Sequence, residues 1–172
     1  MNRLLKIQRA SETDLEAILL FEFHNKTWFS EFLPSQVLMR QNERYFKQQL
    51  SGGQNLVQFL VYLHNGALVG RFSFQFLDPQ HTVAEVSYRV AKQCSNRGIA
   101  QFALRSLLPI LACYGINELY AQVSSENEAS IRVLKSCGFE YSVTKEASIK
   151  MPSGIQDTVV YKWRVGSQER LQ

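Results

Sequence analysis

Cysteine and histidine are scarce, with three of each in 172 residues. Cys94, Cys113 and Cys137 are odd in number and lack C-x-x-C spacing. The sequence therefore suggests neither a disulfide framework nor a zinc site, and ordinary reduced thiols are expected. His24, His64 and His81 lie too far apart for H-E-x-x-H or a similar pairing, so no metal is expected. No stretch approaches the ~20 consecutive apolar residues that span a bilayer. The opening "MNRLLKIQRASETD" also lacks the apolar centre and small-residue cleavage site of a secretory leader. A cytoplasmic protein that does not enter membranes is the resulting expectation. Neither G-x-x-x-x-G-K-[ST] nor G-x-G-x-x-G occurs, which removes the nucleotide-kinase and Rossmann readings.

Basic runs are missing as well. Nineteen Lys and Arg against fifteen Asp and Glu give a net charge of +4. That mild excess favours phosphate-bearing ligands by long-range attraction. The basic residues are scattered and accompany no nucleic-acid module, so direct DNA binding is not expected.

What is present is the composition of one globular domain over 1–172, with 45% hydrophobic and 20% charged residues and no internal repeat or linker. "LLKIQRA" alternates as a first strand. "TDLEAILLFEF" then takes helical spacing, with a capping box expected from Thr13 to Glu16. "HNKTWFSEFLP" is aromatic and non-periodic, a loop. "SQVLMRQNERYFKQQL" resumes one helix, ended by Ser51, Gly52 and Gly53. "LVQFLVYL", "LVGRFSFQFL" and "TVAEVSYRV", separated by "HNGA" and "DPQH", predict three antiparallel strands.

"GIAQFALRSLLPILACYG" predicts a helix in which Pro109 either makes a kink or begins a separate turn. "ELYAQVS" is a strand, and a strand-helix-strand crossover of this length predicts parallel pairing between it and the strand ending at Val90. "SSENEASIRVLKSCG" is a helix closed by Gly138. "FEYSVTKEASIK" and "DTVVYKWRV" form a last hairpin around "MPSG".

Gly98 stands where the helix after "QCSNR" should begin. The first turn of a helix has unpaired N–H groups and a partial positive charge, so a loop of small residues there can cradle a phosphate. Glycine is equally routine for relieving a tight strand-to-helix turn, and both readings stand on the residue alone.

"SNRGIA" resembles the acyl-CoA pyrophosphate loop of the GNAT acetyltransferases: Gln or Arg, two residues, Gly, one residue, then Gly or Ala. Ser95 occupies the position where the family has Gln or Arg. "AEVSYRV", "ENEASIRVLKSCGFE" and "GIQDTVVY" are similar to segments of the branch that acetylates the N-terminal amines of ribosomal proteins. The resemblance covers essentially the whole chain. It implies an α/β (α+β) GNAT fold, a mixed and mostly antiparallel central sheet with a splayed parallel strand pair and flanking helices.

The resemblance further implies acetyl-CoA as cosubstrate, without a metal, and an amine acceptor such as a ribosomal or other protein N-terminus. Ser95, Asn96, Arg97, Gly98, Ile99 and Ala100 would form the cofactor loop, and backbone groups near Val90 would pair with the pantetheine arm. Asn127 and Ser130 match positions that contact the cofactor arm and its sulfur. They are equally the residue types favoured at a helix N-cap and first turn. Leu134 stands where other branches carry a tyrosine acid.

Glu85 is the candidate base, with an acceptor-orienting or solvent-facing carboxylate as the alternative, and Ser130 is the group expected to stabilise the leaving thiolate. Trp28, Phe29, Glu31 and Phe32 are candidates for an amine pocket, with Trp28 and Glu31 foremost, and a place in the core is the alternative that suits Phe29 and Phe32 better. An α-amine of pKa about 8 is roughly a tenth neutral at pH 7, and a lysine amine at about 10.4 is neutral in well under a thousandth of molecules. A weak or water-mediated base therefore suits an α-amine or small amine. A polyamine, amino acid or antibiotic acceptor, a catalytically silent acyl-CoA sensor, and a homodimer through the edge of the final hairpin are the alternatives kept open.

Overall fold

A computed structural model describes residues 5–52 and 55–166. Leu4 of the expected first strand and Gly53 of the expected helix end lie outside the described residues. The alternating opening run forms β1 (Leu5–Arg9). The next three strand runs form β2 (Leu56–Leu63), β3 (Leu68–Phe76) and β4 (Val83–Val90). After the crossover comes β5 (Glu118–Ser124), and the last hairpin is β6 (Glu140–Met151) with β7 (Gly154–Arg164). They make one sheet in the order β1-β2-β3-β4-β5-β7-β6. Every neighbouring pair is antiparallel except β4 and β5. The α/β class and the mixed, mostly antiparallel sheet read from the sequence are those of the folded chain.

The helices are α1 (Leu15–His24), α2 (Lys26–Ser30), α3 (Ser35–Arg40), α4 (Glu43–Leu50), α5 (Ile99–Cys113) and α6 (Glu128–Ser136). Three expectations need correction. The acid at the chain's first helical turn is Asp14 and not Glu16: its carboxylate accepts from the Ser11 N–H at 2.9 Å, because a 3-10 turn over Glu12–Asp14 precedes α1. The aromatic segment is not all loop, since Lys26–Ser30 closes a helical turn whose Phe29 is buried. The single helix expected over 35–50 is two, because the Asn42 side chain accepts from the Tyr45 N–H at 3.0 Å and caps a new helix.

α5 runs through Pro109 without interruption. It buries Ala103, Leu104, Leu107, Leu108 and Leu111, one stripe of helical spacing, against Ala84 and Val86 of β4 and Leu119 and Ala121 of β5. Each fully buried leucine contributes about 2 kcal/mol of transfer free energy. A smaller cluster of Ile18, Phe46 and Leu60 joins α1 and α4 to β2. The large α5 core fixes β4 and β5 as the centre of the sheet, which is where they part.

Candidate active site

β4 and β5 pair only over Val83–Glu85 and Glu118–Tyr120. Beyond Glu85 the strands diverge, although β4 continues to Val90 and β5 to Ser124. The Ala91 N–H donates to the Val69 carbonyl at 2.9 Å, and β3 and β4 stay in register with Gly70 opposite Val90. Antiparallel alternation then turns the backbone groups of Tyr88 and Val90 away from β3, toward the gap. The Val90 carbonyl is engaged there by Trp28 Nε1, 3.2 Å away. Unpaired strand groups in the middle of a sheet are costly unless something binds them.

Two cavities open along this gap. The first, of about 440 Å³, reaches from Trp28, Tyr88 and Val90 to the start of α5 and the first turns of α6. Ser95, Asn96, Gly98, Ile99, Ala100, Asn127 and Ser130 all line it. Arg97 belongs to the same loop but is exposed and does not line the cavity. Gly98 precedes α5 with φ +75° and no side chain caps the helix, so its first N–H groups are left for solvent or a ligand. A Cβ on Gly98 would meet nothing within 4 Å. The left-handed conformation therefore favours glycine, and open space lies in front of the helix terminus. A polar loop and an uncapped helix start fit a phosphate-bearing molecule such as CoA.

The second cavity, about 480 Å³, lies against the opposite sheet face and is lined by Arg71, Glu85, Arg89, Gln122 and Ser124 among others. Phe32, Tyr88, Arg89, Asn127 and Ser130 line both cavities, so the two meet across the splayed strands. Asn127 caps α6, its Oδ1 accepting from the Ser130 N–H at 3.2 Å. The capping and site-lining readings of Asn127 therefore describe one geometry. The Tyr88 hydroxyl donates to the Ser130 carbonyl at 3.4 Å, and burial pushes its phenol well above the usual range. Leu134 is buried and lines only the second cavity.

Glu85 faces the second cavity, with its Oε2 accepting from Gln122 Nε2 at 2.8 Å. Lys145 Nζ in turn donates to Gln122 Oε1 at 3.1 Å. Behind this face, Glu22 accepts from Arg71 at 2.6 Å and from Arg89 at 2.8 Å. Burial first, and the like charge of Arg71 second, bring the Arg89 guanidinium down to about 10 against the opposing pull of Glu22. Trp28 lies on the loop-side cavity, and the exposed Glu31 lines neither cavity.

Sequence reasoning passed over Tyr88, Arg89, Arg71, Gln122 and Glu22. The available signal was period two along β4, which puts Glu85, Ser87 and Arg89 on one face. A charged Arg89 on a strand flanked by core strands invited the question of its partner.

The family model described as "Acetyltransferase (GNAT) domain" matches residues 4–140. No curated protein matches the chain. Among solved structures, the chain is similar to a RimL ribosomal L7/L12 alpha-N-protein acetyltransferase in complex with coenzyme A. The TM-score is 0.82 at 19% identity, covering 95% of this chain and 96% of that one. It is similar to the ribosomal-protein-S5-alanine acetyltransferase of Vibrio fischeri, with TM-score 0.81, 16% identity and coverage of 94% and 93%. It is also similar to the spermidine N-acetyltransferase of Vibrio cholerae, solved with CoA and spermine, with TM-score 0.81, 16% identity and coverage of 99% and 100%.

Proposed function

The chain belongs to the GNAT acetyltransferase family, and from that premise we propose that it transfers an acetyl group from acetyl-CoA directly to a primary amine, the α-amine of a protein or peptide N-terminus. The observation that carries this reading is the meeting of the two cavities at Tyr88, Asn127 and Ser130. One cavity ends in a loop suited to phosphates and the other in polar side chains suited to an acceptor.

The chemistry is attack by a neutral amine on the thioester carbon, through an oxyanion, with the thiolate leaving. A backbone N–H of β4 near Val90 that faces the gap donates to the oxyanion, a kind of contribution often worth several kcal/mol. The Ser130 hydroxyl at the junction hydrogen-bonds the departing sulfur. It is too weak an acid to deliver the proton alone. Glu85, held by Gln122, attracts the ammonium form and accepts its proton directly or through water. Ser95, Asn96, Gly98, Ile99 and Ala100 hold the phosphates of the cosubstrate, and Arg97 adds positive charge outside the cradle.

The test is CoA-thiol release from acetyl-CoA with short peptides, polyamines, amino acids and aminoglycosides, with products confirmed by mass. Turnover concentrated on peptide α-amines is expected. Turnover only on small amines would replace the acceptor class, and binding of acetyl-CoA without turnover on any amine would favour a sensor.

A further inference from the structure

Two guanidinium groups share one carboxylate at the base of the second cavity. Arg71 donates from Nε and Nη2 to Glu22 Oε1 and from Nη1 to Gln58. Arg89 donates from Nη1 alone, to Glu22 Oε2 and Gln41 Oε1, both at 2.8 Å. The Arg71 and Arg89 side chains are only 5% and 10% exposed, so one positive charge is buried in excess of its counter-charge. Such an excess is costly in a protein interior.

Part of the Arg89 guanidinium is left without a protein partner among the described residues. Its Nε and Nη2 have no acceptor among the described residues, yet they are not sealed. Trp163 Nε1 is the one sealed side-chain polar atom without a partner among the described residues. Arg89 lines both cavities, so the accessible surface of this residue borders the site.

The carboxylate side chain lining the second cavity is Glu85, four residues earlier on the same face of β4. At ~3.3 Å per residue the two Cα atoms are about 13 Å apart. The acceptor cavity therefore has an anionic end beside the strand divergence and a cationic end beyond it.

We propose that Arg89 receives a carboxylate of the acceptor, and that the preferred acceptor is a peptide α-amine followed by Asp or Glu at its second or third position. This rests on the acetyl-transfer reading above. A free amino acid separates amine and carboxylate by one carbon and cannot reach both ends. An extended peptide advances ~3.3 Å per residue and can, with the arginine side chain closing the remainder. A polyamine would bring positive charge to an end already positive.

The experiment compares kcat/KM for matched tetrapeptides that differ only by Asp or Glu against Asn or Gln at positions two and three. Free aspartate, free glutamate and spermidine run beside them, and acetyl-CoA affinity is measured separately by calorimetry. The acidic peptides are expected to lead by about tenfold or more, mainly through KM, the scale of a charged hydrogen bond. Arg89→Gln should collapse that ratio to below about twofold, and Arg89→Lys should keep part of it. The Gln variant leaves Arg71 and Glu22 paired one to one, and its melting temperature checks that it folds.

A wild-type ratio near one, or a ratio that survives in Arg89→Gln, overturns the inference while leaving acetyl transfer in place. Free amino acids outpacing the peptides would overturn the peptide source. Failure to bind acetyl-CoA, with no acceptor consumed, would overturn acetyl transfer itself and this inference with it.

Discussion

Arg71 and Arg89 stand directly opposite each other on β3 and β4, and the single carboxylate of Glu22 holds both. Arg71 also lies over the Phe46 ring at 5.0 Å, and Arg89 over Phe29 at 5.4 Å. Two facing cations tolerate this closeness only while Glu22 separates their charges. Glu22→Gln should therefore destabilise the protein by about 3–5 kcal/mol, the cost of breaking a buried ion pair from one side. Urea unfolding measures it, and a loss below about 1 kcal/mol would mean that solvent already screens the pair.

Gly98 separates conformation from ligand approach. Asn also adopts the left-handed backbone, so Gly98→Asn should fold with little loss of stability while its side chain enters the open space before α5. Acetyl-CoA affinity should fall by about tenfold or more, and Gly98→Glu should abolish binding by adding negative charge at the helix terminus. Calorimetric titration decides; unchanged affinity in both variants would remove the phosphate cradle.

Asn127 and Ser130 are neighbours in one cap with different expected effects. Asn127→Ala loses the α6 cap and should cost about 1 kcal/mol of stability, read by denaturation. Ser130→Ala should lower kcat by about tenfold or more with little change in acetyl-CoA affinity if the hydroxyl acts on the leaving sulfur. Loss of binding with turnover intact would make Ser130 a cofactor contact only.

Gln122 positions Glu85, which supplies a control for the base. Glu85→Gln should lower kcat by about a hundredfold or more if the carboxylate takes the proton. Gln122→Leu should lower kcat by less than Glu85→Gln does, because it frees the carboxylate from its positioning hydrogen bond without removing it. A Glu85→Gln enzyme with the wild-type rate would leave Glu85 an orienting group.

Glu118 makes stability depend on acid. Burial pushes its carboxyl up, but hydrogen bonds from Lys162, Tyr120 and Arg164 outweigh that and bring it from its ordinary 4.5 down to about 2. A carboxylate depressed in the folded state stabilises above its unfolded value, and that contribution is lost as pH falls from about 4.5 toward 2. The Arg164 partner is 65% exposed and solvent screens the cluster, so the effect is about 1 kcal/mol or less. Glu118→Gln should flatten the dependence of melting temperature on pH across that window.

The α5 leucine stripe, the alternating strands and the "SNRGIA" loop were legible because each is governed by local periodicity or backbone geometry. The split of residues 35–50 depended on Asn42, whose capping role competes with the helical spacing on both sides. The first turn was misplaced because Thr13 and Glu16 offer the same residue types as the Ser11 and Asp14 pair that forms it. The second cavity was largely illegible. Glu22, Arg71 and Arg89 converge from α1, β3 and β4, and Gln122 reaches Glu85 across the parallel pair; no local spacing encodes such contacts. Glu31 illustrates the converse, since its position beside the aromatics suggested a pocket that the exposed side chain does not line.

The central claim is that the loop-side and acceptor-side cavities form one continuous site crossing the sheet at Tyr88, Asn127 and Ser130. The most direct measurement is the affinity of a bisubstrate conjugate, CoA joined through an acetyl link to the α-amine of a short peptide, against CoA and the peptide alone. A continuous site predicts that the conjugate binds at least about a hundredfold more tightly than CoA, since the second contact becomes intramolecular. An affinity equal to that of CoA, with the peptide half contributing nothing, would contradict it.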